Sequence, residues 1–455
     1  MPMLLRFPVV LICALASVAA GAASESGLAT LDFREVVRSA KDKVFPAVVF
    51  IKCVRESHEM GKKQSHEVAG SGVLISKDGE FLTNWHVVDK AVELRCLLHD
   101  GRAYDADVVG TDKDLDLALV RLRLGKKSKR VPFAELGESD SLKEGDFVMA
   151  MGAPWGMARS VSIGIVSCTS RYLVESSEYS LWLQTDAAIS PGNSGGPLIS
   201  TDGRIVGITT LGAIIGGDMG FAVPSATIRE ILPRLRKRGD IEWAWTGLQL
   251  QPLRDFHRNV YFEGDEGVIV AGVDEHSPAR EAGVRERDRI LTINGTPVTA
   301  LTEEQLPGIR RMMGLLAFGE PMKLVVRRGR EELSLTVTPR AKGKVEGDEL
   351  DCPRWDLTVK AINQFENPDL HFYRKKGVFI YGVEYPGNAA DARLMPKDIL
   401  LEIDGEKIET LDDVERVYEQ RVGGVETKSR ALVTLLRNGL MRQAVLDFSR
   451  DYERD

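Results

Sequence analysis

The sequence predicts a mainly β chain: a barrel or sandwich of short strands, followed by two copies of a smaller α+β unit. Three observations carry this. Residues 47–225 alternate short apolar runs ("AVVFIKCV", "GSGVLIS", "LDLALVRLRL", "GRIVGITTL") with Asp-Gly pairs at 78–79, 100–101 and 202–203, which suit hairpin turns. Helical spacing flanks that stretch and does not interrupt it. The segment "GVIVAGVDEHSPAREAGVRERDRILTINGTPV", from Gly267, recurs without a gap as "GVFIYGVEYPGNAADARLMPKDILLEIDGEKI", from Gly377, so that Gly267/Gly377 and Gly295/Gly405 are both 110 residues apart.

Taken in order, Met1–Pro8 carries one cation, Arg6, and leads into the uncharged run "FPVVLICALASVAA" and the small-residue stretch "GAAS". Short n-region, apolar run and small-residue site form a secretory signal peptide over residues 1–23. The apolar run is too short for a comfortable membrane span. A helical segment at 24–45 places Phe33, Val36, Val37, Ala40 and Val44 on one face, with Asp32 and Glu35 as a capping box and Pro46 as its stop. The strand-rich domain occupies 46–239 and closes on the helix "SATIREILPRLRKRG". The repeats are expected at 246–340 and 355–449, joined by a charged linker at 341–354. Of the mature cysteines, Cys53, Cys96, Cys168 and Cys352 are too scattered for a disulfide scaffold; buried free thiols are expected, with a Cys53–Cys96 bridge as the alternative.

Composition excludes one class. The 60 Lys+Arg nearly balance 67 Asp+Glu, giving a net charge of −7, so no nucleic-acid partner is expected. His58 and His66, in "RESHEMGKKQSHEV", read as a solvated loop between strands rather than a metal pair. No nucleotide or metal motif is present in the sequence, and no cofactor is expected.

The chemistry sits in "SPGNSGGPL", where Ser194 lies between a Gly-Asn pair and two glycines. A serine hydroxyl is a poor nucleophile without a base and an orienting acid. "FLTNWHVV" offers His86 and "DKDLDLALV" offers Asp116, with Asp112 and Asp114 as alternatives. The order His, Asp, Ser is that of one triad architecture.

"TNWHVV", "DLDLALV" and "TDAAISPGNSGGPL" resemble the three signatures of the HtrA/Deg family of trypsin-like serine endopeptidases, and the repeats resemble that family's PDZ modules. The resemblance implies a trypsin-like double β-barrel followed by two PDZ domains, and a trimer, or a multiple of it, built through the protease domains. It implies Ser194 as nucleophile, His86 as general base, Asp116 as its orienting acid, and the N–H groups of Gly192 and Ser194 as oxyanion donors. The S1 pocket, at Ala188, Ile189, Thr209, Thr210 and Leu211, holds no acid and is expected to be apolar. Arg171 matches an arginine of the loop that relays activation. "EGVIV" (Gly267, Val268, Ile269) and "KGVFI" (Gly377, Val378, Phe379) are expected to capture C-terminal carboxylates of peptides that add as a strand. The second copy replaces Gly283 by Arg393, which puts its groove in doubt.

The implied function is an exported, ATP-independent endopeptidase acting on unfolded or damaged proteins, placed in a bacterial periplasm. The alternative is a PDZ-based chaperone or scaffold, or a dedicated regulatory protease, with little general proteolysis.

Overall fold

The computed structural model describes residues 32–125, 130–153, 159–173, 177–190, 192–213, 219–239, 241–255, 260–261 and 264–452; the expected signal peptide lies outside them. Helix α1, Phe33–Val44, is capped by the Asp32 carboxylate, which accepts from the Arg34 N–H, and buries Ala40 and Val44. Two closed barrels follow. The first comprises β1 (Val48–Ser57), β2 (Gln64–Leu74), β3 (Glu80–Thr83), β4 (Ala91–Leu97), β5 (Ala103–Asp112) and β6 (Leu117–Leu122), in the order β1-β2-β3-β6-β5-β4. The second comprises β7 (Phe147–Gly152), β8 (Ser160–Arg171), β9 (Trp182–Thr185), β10 (Pro197–Ser200), β11 (Ile205–Ala213) and β12 (Met219–Pro224), in the order β10-β11-β12-β9-β8-β7. Closure removes the free edges that short strands would otherwise expose. The one-turn helix α2, Trp85–Val88, interrupts the first barrel, and α3, Ser225–Arg238, lies across both.

Val-, Leu- and Ile-rich strands fill the barrels. Phe81, Leu117, Leu119 and Met149 are fully buried, and so are the thiols of Cys53 and Cys96. Cys53 pairs in register with Leu94 and Cys96 with Ile51. The two thiols are unbonded, and burial pushes them up to about 11 and about 12. They are therefore protonated and unreactive.

The repeat is structural as well as sequential. In the first unit, Arg328 forks onto the buried Asp288 at 2.7 Å; in the second, Arg437 forks onto the buried Asp398. Arg393 adopts a left-handed φ of +58°, close to the +82° of Gly283, and its carbonyl accepts from Arg437 as that of Gly283 accepts from Arg328. The substitution preserves the turn.

Two expectations change. Glu349–Cys352, expected in the linker, form a strand paired with Leu357–Ala361. The β1–β2 tip, expected to be solvated, is seated on the second unit. The His58 carbonyl accepts from Thr358, Glu59 accepts from Tyr381, and His58 Nδ1 lies 2.9 Å from Glu349 Oε2.

Candidate active site

His86 is carried by α2, and Asp116 ends the β5–β6 turn with a φ of +48°. The Asn84 amide donates to the Asp116 carbonyl at 2.9 Å and holds that turn against α2. The result is a short, doubly tied pair. His86 Nδ1 lies 2.9 Å from both Asp116 carboxylate oxygens, and the His86 backbone N–H donates to Oδ1 at 3.1 Å. Asp116, rather than Asp112 or Asp114, is therefore the acid facing His86. Asp112 points the other way, into the protein.

Ser194 stands in the loop between β9 and β10. Gly192 has a φ of +96°, which admits little but glycine. Ser71 clamps the loop from the first barrel: its N–H donates to the Ser194 carbonyl at 2.8 Å and its hydroxyl to the Gly192 carbonyl at 2.6 Å. A side chain at Gly195 would place its Cβ 2.2 Å from the Ser71 carbonyl oxygen, so the close packing behind the serine requires glycine.

Thr210 joins the pieces, and its role was not legible in the sequence. Its hydroxyl donates to Asp116 Oδ2, and its carbonyl accepts from the Ser194 hydroxyl at 3.0 Å. Neighbouring residues on a strand point to opposite faces. Thr209 accordingly turns inward, and its hydroxyl bonds the carbonyls of Asn193 and Gly196 at 2.9 and 3.0 Å. Both threonines, expected as pocket lining, are buried, and their hydroxyls are committed to Asp116 and to the loop around Ser194.

Of the other expected pocket residues, Ile189 packs against Gly220, and the Ala188 carbonyl accepts from Ser162 at 2.7 Å. The side chain of Leu211 lies outside the described residues. Arg171 ends β8, donates to Gln184 at 2.9 Å, and its charge reaches Glu304 of the first α+β unit. Glu304 lies below the usual carboxylate range, first because of backbone and Thr302 hydrogen bonds and then because of Arg171.

The expected peptide-adding strands are corrected. Val268–Val273 pairs with Leu248–Gln251 on one side, from Ile269 onward, and with Arg289–Ile293 on the other, so Ile269 has no free edge and Val268 is already paired with Ile290. The N–H of Gly267 already donates to Thr299 at 3.1 Å. Strand Leu248–Gln251 is the edge of that sheet. Between it and helix Leu306–Gly314 lies a cavity of about 300 Å³, lined in part by Tyr179, Trp245, Gly247, Arg310 and Met313. In the second unit, Val378 and Phe379, which follow Gly377, are likewise interior. The strand beside them is itself covered by Glu349–Cys352.

Comparison with known proteins agrees with this geometry. The trypsin-like peptidase domain matches residues 70–208, and the PDZ domain matches 269–328. A probable periplasmic serine endoprotease, DegP-like, of Chlamydia muridarum is 32% identical over 371 residues, covering 79% of this chain and 72% of that protein. Its namesake in Halomonas elongata is 31% identical over 390 residues, covering 83% and 78%. Among solved structures, the HtrA-type protease AlgW with a tripeptide is similar with a TM-score of 0.58 and 30% identity, covering 67% of this chain and 96% of that one. The chain belongs to the DegP-like, HtrA-type family of trypsin-like serine endoproteases that carry a PDZ domain.

Proposed function

We propose that Ser194 attacks the peptide carbonyl, that His86 takes its proton and passes it to the leaving amine, and that Asp116 orients His86 and stabilises its charged form. The carrying observation is the bonded path from His86 through Asp116 and Thr210 to Ser194. The Ser194 hydroxyl now rests on the Thr210 carbonyl, so attack requires it to rotate toward His86. The N–H groups of Gly192 and Ser194 serve the developing oxyanion, where one such donor is worth about 3–4 kcal/mol. An apolar S1 site around Ala188 and Ile189 selects apolar side chains.

The substrates we propose are unfolded or damaged proteins, cut without ATP. The periplasmic names of the relatives and the N-terminal signal pattern support export to a periplasm. A peptide C-terminus adds to the edge Leu248–Gln251 of the PDZ domain. Residues 355–449 form a second PDZ domain, supported by the shared Asp–Arg forks and turns, and the covered edge of that unit argues against peptide addition there. The protease domain then spans 46–239 and the first PDZ domain 246–340, and strand 349–352 belongs to the second unit through its pairing with 357–361. A trimer through the protease domains is supported by the pairing of the half-exposed Phe33 and Phe147 rings, 4.8 Å apart, on the outer surface.

Digestion of reduced casein by the mature chain tests this. Wild type cleaves it, and Ser194→Ala does not; equal cleavage by both overturns the reading.

A further inference from the structure

Asp112, one of the two acids left over from the triad, is buried. Its Oδ1 accepts from the Leu115 N–H at 2.7 Å, which closes the turn that ends in Asp116. Its Oδ2 accepts from Trp243 Nε1 at 2.8 Å. Trp243 lies in the segment between α3 and the PDZ domain, and its ring stacks on Tyr179 at 4.0 Å with the planes 1° from parallel. The other neighbour of this stack is the PDZ helix: a methyl group at Gly314 would come within 2.6 Å of Trp243 and 3.1 Å of Tyr179. Lys342 closes the arrangement, with its ammonium 4.9 Å from the Tyr179 ring centre and 3.5 Å from Asp114. The stack also borders the PDZ cavity, since Tyr179 and Gly314 both line it.

These contacts form one continuous path from the PDZ domain to the catalytic turn. We infer that Asp112 is a positioning residue for Asp116, and that its bond from Trp243 ties the placement of the catalytic acid to the docked PDZ domain. The inference rests on the protease reading above. The Leu115 bond ties the Asp112 side chain to the turn, and the Trp243 bond ties it to the segment that leads to the PDZ domain. Loss of the Trp243 bond lets the carboxylate swing and the turn relax, and displacements of about 1 Å in such a site can cost up to about 100-fold in rate. Burial, with Asp114 beside it, pushes Asp112 up to about 8. Asn keeps the shape of the side chain, and Trp243→Phe removes the same bond without touching the acid, so agreement between the two variants assigns the loss to the bond.

The test is steady-state hydrolysis of a small chromogenic peptide by full-length chains, with rates expressed per active site counted by fluorophosphonate titration. Asp112→Asn keeps the Leu115 bond and turns an N–H toward Trp243; Trp243→Phe keeps the stack and removes the same bond from the other side. Each is expected to lower kcat about tenfold with KM within about twofold, and the double variant to be no slower than the slower single one. Gly314→Ala, which touches the stack only from the PDZ side, is expected to lower kcat several-fold in the wild-type background and to add nothing to Trp243→Phe. Counting active sites removes any unfolded fraction from the rate, and Gly314→Ala carries the test should the other two fail to fold. A wild-type kcat in Trp243→Phe, losses that multiply in the double variant, or a wild-type kcat in Gly314→Ala overturns the inference. None of these touches the protease reading, which fails separately if Ser194→Ala still hydrolyses the peptide.

Discussion

Thr210 serves two residues at once, through its hydroxyl to Asp116 and its carbonyl to Ser194. Substituting valine keeps the shape and the carbonyl but removes the donor to a half-enclosed carboxylate. A hydrogen bond to a charged group is worth about 1.5–3 kcal/mol. Thr210→Val should therefore lower kcat by about ten- to a hundredfold with KM little changed, in steady-state assays on a chromogenic peptide. An unchanged kcat would mean that Asp116 is held well enough by Asn84 and the His86 N–H alone. At this scale the sequence was partly legible. His86 and Ser194 are marked by their flanking strands and by glycines whose strained or crowded geometry admits no other residue. Three acids within five residues cannot be told apart on paper, because the left-handed turn that aims Asp116 at His86 belongs to the backbone. Thr209 and Thr210 share one chemistry, and only the pleat of β11 assigns them different tasks.

The strands show what a repeat does and does not reveal. Gly267 and Gly377 open equivalent strands, and the 110-residue interval made that visible. It could not show that each strand would be flanked on both sides. The outer neighbours, Leu248–Gln251 and Leu357–Ala361, lie upstream of the recognisable repeat, at spacings that differ by one residue. Strand order is a tertiary property, and an edge is defined by what fails to pair with it. The assignment of Leu248–Gln251 as the receiving edge predicts a pattern of hydrogen exchange. A hexapeptide with an apolar C-terminal residue and a free carboxylate should slow exchange within 248–251 and leave 268–269, already paired, unaffected. The amidated peptide should do neither. Protection that appears first at 268–269 would restore the original expectation.

Over the whole molecule, one carboxylate gathers three parts of the chain. Glu349 is 8% exposed; its Oε1 meets Lys90 at 2.5 Å and Lys360 at 3.0 Å, and its Oε2 meets His58 at 2.9 Å. Lys90 follows α2, His58 sits at the β1–β2 tip, and Lys360 is buried in the second α+β unit. The sequence offered no hint of this, because His58 and Lys90 lie more than 250 residues from Glu349 and each looks like an ordinary surface charge. Burial alone would raise Glu349, but hydrogen bonds from Lys90 and Lys360 outweigh it and hold the carboxyl below its usual range. A lowered folded-state value stabilises the docked arrangement above the ordinary glutamate range, and that stability is lost as pH falls from there through the lowered value. Acid should therefore undock the second unit, seen as faster proteolysis within 341–348 and a larger radius of gyration by X-ray scattering. Glu349→Gln should show the same loosening already at neutral pH, since removing one partner leaves the buried Lys360 with Glu366 alone. A compact, protease-resistant Glu349→Gln chain at neutral pH would show that the apolar and backbone contacts of the β1–β2 tip suffice.

All three scales meet at one hydroxyl, and its reactivity is the most direct test of the account. The mature chain is treated with a fluorophosphonate at neutral pH, digested and mapped by mass spectrometry. A single modified residue is expected, Ser194, with labelling abolished in Ser194→Ala and strongly slowed in His86→Ala. Labelling that persists in Ser194→Ala, or that is indifferent to the loss of His86, would contradict it.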